Sequence, residues 1–178
     1  VEVWRGNGHR HRLQRAEVDL DALPVVDSGG AASTLAGLLD ETYADGFLVL
    51  KDGRVAYERY FNGMDERTPH LSQSMAKTIV AMLLGIAVGE GSIRSIDDLA
   101  SDYARDLAGT QYGRTSLRAL LHMASGVRFV ETDDGNDDVA RLGRALFGPN
   151  SPGPATSLAL FDTREAAAAS RFSYASAE

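Results

Sequence analysis

Two residues of complementary chemistry lie three positions apart in an apolar stretch of the sequence, Ser74 and Lys77 in "SMAK". Residues three apart on a helix share one face, so the serine hydroxyl and the lysine amine would be neighbours. A lysine held against apolar surface has a lowered pKa and can accept a proton near neutral pH, whereas arginine stays protonated. Lysine is rare here, since the 18 basic residues include only Lys51 and Lys77. The pattern indicates a serine nucleophile with a lysine base.

Ser74 is predicted to lie at the N-terminal end of a helix that is apolar on nearly every side from Met75 to Val88. A helix of this kind is typically buried. Its N-terminus presents free N–H groups and a dipole that favour developing negative charge, so the backbone N–H of Ser74 could form half of an oxyanion hole. The alternative is structural, with Ser74 as a helix cap and Lys77 extending its ammonium to water.

A second candidate is Tyr174 in "FSYAS". A tyrosine hydroxyl near a neutral lysine can relay protons between a serine nucleophile and the leaving group. Taken alone, Tyr-x-Ser is also the pattern of a core tyrosine at the start of a strand. Its position after Ser-x-x-Lys favours the catalytic interpretation.

Composition narrows the class of protein. The chain has 178 residues, is 44% apolar and 24% charged, and therefore suits one medium globular domain. A net charge of −7 argues against general nucleic-acid binding. The absence of cysteine excludes disulfides and a thiolate nucleophile. No stretch reaches the roughly 18 to 20 apolar residues that span a bilayer. The compartment stays open, with the cytoplasm slightly favoured.

The histidines, His9, His11, His70 and His122, show no metal-ligand spacing, so neither a metal nor another cofactor is implied. The acidic loop "ETDDGNDD" (131–138) could border the substrate cleft, where carboxylates suit an amine-bearing substrate. A solvated surface loop is the favoured interpretation.

The predicted order of elements begins with an irregular segment over 1–30 and a short helix from Ser33. A hairpin follows over 47–61, and a helical region with the nucleophile helix covers 74–147. A linker, a short alanine-rich helix and the tyrosine segment complete residues 148–178. Within the helical region, the predicted helices are Ser95–Leu107, Ser116–Met123 and Asp137–Phe147. A lone hairpin is marginal in water, so either the domain is mostly helical or further strands lie beyond residue 178.

Four linked segments resemble the serine β-lactamase and penicillin-binding-protein superfamily. They are similar above all to the branch of class C β-lactamases, family VIII carboxylesterases and 6-aminohexanoate-dimer hydrolases. The segments are "GFLVLKDGRVAYERYFNG", "SQSMAKTIVAMLLGIAVGEGSIRSIDDLASDY", "TSLRALLHMASGVRF" and "RFSYASAE".

The resemblance implies a β-lactamase-like fold of the α/β (α+β) class, with an antiparallel sheet flanked by helices and a helical subdomain. It also implies that this chain contains only part of that fold. It implies that Ser74 is acylated, that Lys77 is its base and that Tyr174 is the second proton-transfer residue. Ser176 occupies the third, substrate-binding position of the tyrosine box, where class C enzymes usually have Asn, so the chain resembles the hydrolases and esterases more. The family's third box, a Lys-Thr-Gly or His-x-Gly strand, is absent.

We therefore expect the N-terminal half of a serine hydrolase roughly twice as long. It would cleave an amide or ester of a small molecule through an acyl-enzyme, with the C-terminal half on the same or a separate chain. The 178 residues alone would be weakly active or inactive. The alternatives are β-lactamase or D-alanyl-D-alanine peptidase activity, a non-catalytic ligand- or partner-binding module on this fold, and a helical interaction domain. No nucleic-acid or membrane partner is expected.

Overall fold

A computed structural model describes residues 7–9, 12–132 and 134–178 of the chain. The chain divides into two compact units, Val1–Leu71 and Ser72–Glu178. None of the helices in the described ranges is long and apolar enough to cross a membrane.

The first unit contains a mixed three-stranded sheet and one helix. Its elements are β1 (Gln14–Arg15), β2 (Pro24–Val26), β3 (Ala32–Thr34), α1 (Leu35–Glu41), β4 (Gly46–Lys51) and β5 (Arg54–Tyr60). The sheet has the order β1-β5-β4, with β1 parallel and β4 antiparallel to β5, and β2 pairs separately with β3. The hairpin predicted over 47–61 corresponds to β4 and β5. Asp52 and Gly53 both have positive φ, as a tight hairpin turn requires.

The core of this unit lies between α1 and the hairpin. Leu35 and Leu39 of α1 pack against Tyr57 of β5, which is almost fully buried. The Tyr57 hydroxyl donates a hydrogen bond to the carboxylate of Asp21. Thr34 caps α1, because its side chain accepts a hydrogen bond from Gly37 N–H.

Two expectations for this unit were wrong. The segment 1–30 is not wholly irregular, since it contains β1 and β2, and the sheet is not purely antiparallel, since β1 runs parallel to β5. Strands of two or three residues are too short to show the alternation by which a strand is recognised, and their pairing with distant residues defines them.

The second unit is helical. Its elements are a 3₁₀ turn (Gln73–Met75), α2 (Ala76–Gly89), α3 (Ala100–Tyr103), a second 3₁₀ turn (Arg105–Leu107), α4 (Leu117–Leu121), α5 (Asp138–Phe147) and α6 (Pro154–Leu158). The predicted starts of α4 and α5 agree with their capping residues. Ser116 accepts a hydrogen bond from Ala119 N–H, and Asp137 accepts one from Ala140 N–H.

Two apolar clusters hold this unit together. One contains Tyr112, Val127, Leu142 and Phe161. The other contains Ile93, Ala100 and Leu117, and it contacts α2 through Leu84, Ala87 and Val88. Only one side of α2 therefore packs against the described part of the unit.

The expectation of a buried α2 was wrong, since no residue of this helix is buried. A helix that is apolar on every side needs partners on every side, and the described residues supply them on one. More than half of the surface is exposed for these residues of the helix and its cap: Met75, Ile79, Val80, Met82, Leu83 and Ile86.

The alanine-rich helix was also misplaced. The short helix α6 begins at Pro154, inside the Pro/Gly-rich segment, and the alanines at 166–169 are not helical. The backbone at 163–173 instead bonds to the turn at 123–128, with bonds from Arg128 N–H to Thr163, from Glu165 N–H to Gly126 and from Ala169 N–H to Ala124. This tertiary pairing outweighs the helix propensity of alanine.

Candidate active site

Ser74 lies in the 3₁₀ turn that leads into α2, and its side chain is exposed. The residue before it, Gln73, has a φ of +47°, which is unusual for a residue with a side chain. Backbone strain of this kind is concentrated at active sites and ligand clamps. The sharp turn presents the Ser74 hydroxyl at the N-terminal end of the helix.

Tyr174 reaches this hydroxyl from a position 100 residues later in the chain. Its Oη donates a hydrogen bond to Ser74 Oγ at 2.5 Å. The two hydroxyls are therefore close enough for a proton to pass directly between them.

Lys77 is half-buried, so its side chain is not in open solvent. Its Nζ donates a hydrogen bond to the backbone carbonyl of Ser176 at 3.1 Å and another to the carbonyl of Glu178. No hydrogen bond joins Lys77 Nζ to Ser74 Oγ within the described part of the chain. The amine is thus anchored to the tyrosine segment, one helical turn from the serine.

Ser176, the last of the predicted site residues, is bound to a carboxylate. Its backbone N–H donates to Glu131 Oε1, and its hydroxyl donates to Glu131 Oε2 at 3.2 Å. Hydrogen bonds therefore join the four predicted residues in two pairs, Tyr174 with Ser74 and Lys77 with Ser176. They belong to one compact unit.

The tyrosine segment is positioned by its pairing with the Ser-Gly turn. Ser173 N–H donates to the carbonyl of Met123, directly before Tyr174. Gly126 in this turn has a φ of +74°, and a Cβ at this position would lie 2.0 Å from the carbonyl oxygen of Ala166. Only glycine fits here, so the turn and the tyrosine segment can approach each other closely.

The same turn binds the side chain of Glu178. Ser125, which is fully buried, donates its hydroxyl to Glu178 Oε1 at 2.5 Å and its N–H to Oε2 at 3.4 Å. Burial raises the pKa of the Glu178 carboxyl, while the hydrogen bonds from Ser125 and the charge of Lys77 act in the opposite direction.

A cavity of about 660 Å³ adjoins these residues. Its polar rim is formed by Ser74, Lys77, Ser176 and Glu178, and its wall is mostly aliphatic. The wall is formed by side chains of three helices: Val80 and Leu84 of α2, Leu117, Leu120 and Leu121 of α4, and Val139 of α5. A volume of this size can hold a small organic molecule.

The histidines of the described ranges, His9, His70 and His122, form no metal centre. Among the described residues, no group of three or more His, Asp or Glu side chains is placed to hold a metal ion. His9 and His122 are exposed, and His11 lies outside the described residues. His70, in the first unit, pairs with Asp45.

A comparison with protein-family models matches residues 31–171 to the beta-lactamase model. The chain belongs to the beta-lactamase family. The matched residues include Ser74 and Lys77 and end before Tyr174 and Ser176. Family membership and the β-lactamase-like fold, with its mixed sheet and helices, confirm the resemblance found in the sequence.

Individual relatives point to one branch of the family. The chain is 30% identical over 122 residues to a 6-aminohexanoate-dimer hydrolase from Paenarthrobacter ureafaciens, and the match covers 67% of this chain and 31% of that protein. It is 29% identical to a solved structure described as a candidate 6-aminohexanoate-dimer hydrolase from Bacillus anthracis, with a TM-score of 0.75. That match covers 92% of this chain and 45% of the other. The chain thus spans less than half the length of either relative.

The sequence did not identify Glu131 as a site residue. The acidic loop 131–138 was interpreted as solvated surface, yet its first residue contacts Ser176. The run of carboxylates was a visible signal, but nothing in it distinguished Glu131 from its neighbours. Asp133 of this loop lies outside the described residues.

Proposed function

We propose that the chain carries the nucleophile and proton-transfer residues of a serine hydrolase that cleaves an amide or ester through an acyl-enzyme. The observation that carries this proposal is the 2.5 Å hydrogen bond from Tyr174 Oη to Ser74 Oγ. A serine hydroxyl is a weak nucleophile until a neighbouring group takes its proton. Membership of the beta-lactamase family adds support.

In the proposed acylation step, Ser74 Oγ attacks the carbonyl carbon and its proton passes to Lys77. Lys77 Nζ is held beside the site by its hydrogen bond to the backbone carbonyl of Ser176. The backbone N–H of Ser74 and the N-terminal end of α2 would stabilise the oxyanion.

Collapse of the tetrahedral intermediate breaks the bond to the leaving nitrogen or oxygen, which receives a proton through Tyr174. Water then attacks the acyl-enzyme ester, and the acid is released as Ser74 recovers its hydrogen. The aliphatic wall of the adjoining cavity suits a substrate with a methylene chain. A linear amide of the 6-aminohexanoate-dimer type, as in the names of both relatives, is the proposed substrate class, with simple esters next.

Covalent labelling tests the nucleophile. A fluorophosphonate probe should label the native chain at Ser74 and should not label Ser74→Ala. Ser72→Ala, an exposed serine two residues earlier, is the matched control and should be labelled as the native chain is. Labelling of Ser74→Ala at the native rate would rule out the assignment.

We also propose that full turnover requires sequence beyond these 178 residues, supplied on the same or a separate chain. The chain spans 31% and 45% of the two relatives described above and carries neither Lys-Thr-Gly nor His-x-Gly. The apolar side of α2 is exposed, and the outer edge of β4, with exposed Leu48 and Leu50, pairs with none of the described strands. Hydrolysis by the isolated chain at rates typical of enzymes, about 1–1000 s⁻¹, would refute this proposal.

One observation favours a second candidate, a non-catalytic binding module. Lys77 Nζ bonds to backbone carbonyls, and among the described contacts it does not bond to Ser74. A binding module would take up a linear amide into the cavity, measured by calorimetry, without labelling at Ser74. A hydrolase would bind the linear amide and would also be labelled at Ser74.

A further inference from the structure

The contacts of Ser176 with Glu131 are not used in the mechanism above. Both hydrogens that Ser176 can donate go to this one carboxylate, the N–H to Oε1 and the hydroxyl to Oε2. The carbonyl of the same residue accepts a hydrogen bond from Lys77 Nζ at 3.1 Å. Ser176 is therefore held from two sides, by an acidic loop and by α2.

An ionised carboxylate only accepts hydrogen bonds, so it fixes the orientation of a hydroxyl bound to it. The hydrogen of Ser176 Oγ points toward Glu131, and the lone pairs of the oxygen remain for other partners. Ser176 also lines the cavity shared with Ser74 and Lys77. Toward the cavity, Ser176 thus offers an acceptor and no donor.

We propose that Glu131 is a positioning residue that makes Ser176 a hydrogen-bond acceptor, and that the site thereby selects substrates with an N–H at the scissile group. An amide nitrogen that carries hydrogen can donate to Ser176 Oγ, whereas the oxygen at the same position of an ester cannot. This inference rests on the proposed hydrolase function and adds a preference for secondary amides over matched esters.

Asp134, in the same loop, makes a different contact. Asp134 Oδ1 accepts a hydrogen bond from Asn136 N–H at 2.8 Å, within its own turn, and the side chain is exposed. Asp134→Asn removes one negative charge from the same loop and keeps an acceptor for that bond. Asp134→Asn is therefore the matched control, because it changes the charge of the loop and leaves the contact between Glu131 and Ser176 in place.

The decisive variant is Glu131→Gln, which has nearly the same shape. Its carbonyl can still accept from Ser176 N–H, but its amide would donate to Ser176 Oγ and turn the hydroxyl hydrogen toward the cavity. An N–H of the substrate would then lose its acceptor. We expect kcat/KM for butyryl p-nitroanilide to fall about five- to tenfold relative to p-nitrophenyl butyrate, the effect of one hydrogen bond.

Two further variants complete the functional test. Ser176→Ala should lower the anilide-to-ester ratio as Glu131→Gln does, and the double variant should lower it no further, because both changes remove the same acceptor. Asp134→Asn should leave the ratio at its native value. An equal loss on both substrates in Glu131→Gln, or a loss of the same size in Asp134→Asn, would overturn the proposal, while labelling of Ser74 would show that the hydrolase function survives.

The contact itself can be measured without turnover. In ¹H–¹⁵N spectra of the native chain, the amide proton of Ser176 should resonate far downfield, because it is bonded to a carboxylate. It should move upfield in Glu131→Ala and stay in place in Asp134→Asn. An unchanged Ser176 resonance in Glu131→Ala would overturn the inference even if the isolated chain hydrolyses neither substrate.

Discussion

Removal of the Tyr174 hydroxyl would separate catalysis from stability at this site. Tyr174→Phe deletes one oxygen atom, the atom that lies 2.5 Å from Ser74 Oγ. Tyr174 is 43% exposed and the side chain of Ser74 is exposed, so the change leaves neither a buried cavity nor a buried unpaired group. The free energy of unfolding should therefore change by less than about 0.5 kcal/mol.

The size of the catalytic loss distinguishes two roles for this hydroxyl. A neutral hydrogen bond that only holds Ser74 in place contributes about 0.5–1.5 kcal/mol, or roughly two- to thirteenfold in rate. A group that transfers a proton in the transition state contributes about 100- to 10,000-fold. Since Tyr174 contacts Ser74 Oγ, the oxygen proposed to react, we expect the larger effect, a loss of at least about 100-fold in the rate of acylation.

The assay is the single-turnover release of p-nitroaniline from butyryl p-nitroanilide, whose leaving nitrogen must gain a proton, measured beside thermal unfolding of the same samples. Tyr60→Phe is the matched control, because Tyr60 is 39% exposed and its hydroxyl also donates one hydrogen bond, to Glu58. Release of p-nitroaniline by Tyr174→Phe within threefold of the native rate would refute a proton-transfer role. A large fall in the free energy of unfolding of Tyr174→Phe would refute the inference that an exposed hydroxyl can be removed with little loss of stability.

Three further predictions concern stability. Tyr112→Phe should leave the free energy of unfolding unchanged or raise it by up to about 1 kcal/mol, because the buried Tyr112 hydroxyl bonds to none of the described residues. Gly126→Ala should lower it by about 3 kcal/mol or more, from the positive φ and the 2.0 Å contact of a Cβ with Ala166 O. His70 has its pKa raised above the ordinary 6.5, first by its hydrogen bond to Asp45, so its stabilising contribution is complete below that ordinary value and is lost as pH rises through the raised pKa.

Each of these predictions has its own control. Tyr57→Phe removes a hydroxyl that donates to Asp21, so chemical denaturation should show a loss of about 1 kcal/mol, and an equal loss in Tyr112→Phe would contradict the first prediction. Gly143→Ala, in α5 with open space around the new methyl group, should stabilise by about 0.5–1 kcal/mol. In His70→Gln the loss of stability as pH rises above the ordinary 6.5 should disappear, and a pKa of His70 at or below 6.5 in an NMR titration would contradict the third prediction.

The sequence was sufficient for those features that a local pattern or a linked set of motifs encodes. Asp137 before an amphipathic run predicted the start of α5 within one residue, and the Asp52-Gly53 turn predicted the hairpin. Ser74 and Lys77 stood out because a lone lysine in an apolar helix is chemically unusual. These inferences needed only neighbours in the sequence.

Features that depend on residues distant in the sequence could not be predicted from local patterns. The apolar character of α2 predicted burial, but burial depends on what packs against the helix, and the described residues cover one side. The alanines at 166–169 bond to the turn at 123–128, a contact that no local propensity records. Glu131 was one carboxylate among several until its two bonds to Ser176 were known.

The separation of 100 residues between Tyr174 and Ser74 also has a consequence for synthesis of the protein. A ribosome adds about 5–20 residues per second, so Ser74 is made roughly 5–20 s before the tyrosine that contacts it. During this interval the nascent chain carries the serine at the head of an apolar helix and lacks its hydroxyl partner. Nascent chains that end before residue 174 should therefore lack the Tyr174–Ser74 hydrogen bond, and any reactivity of Ser74 that depends on this contact should arise only after the tyrosine segment has been made.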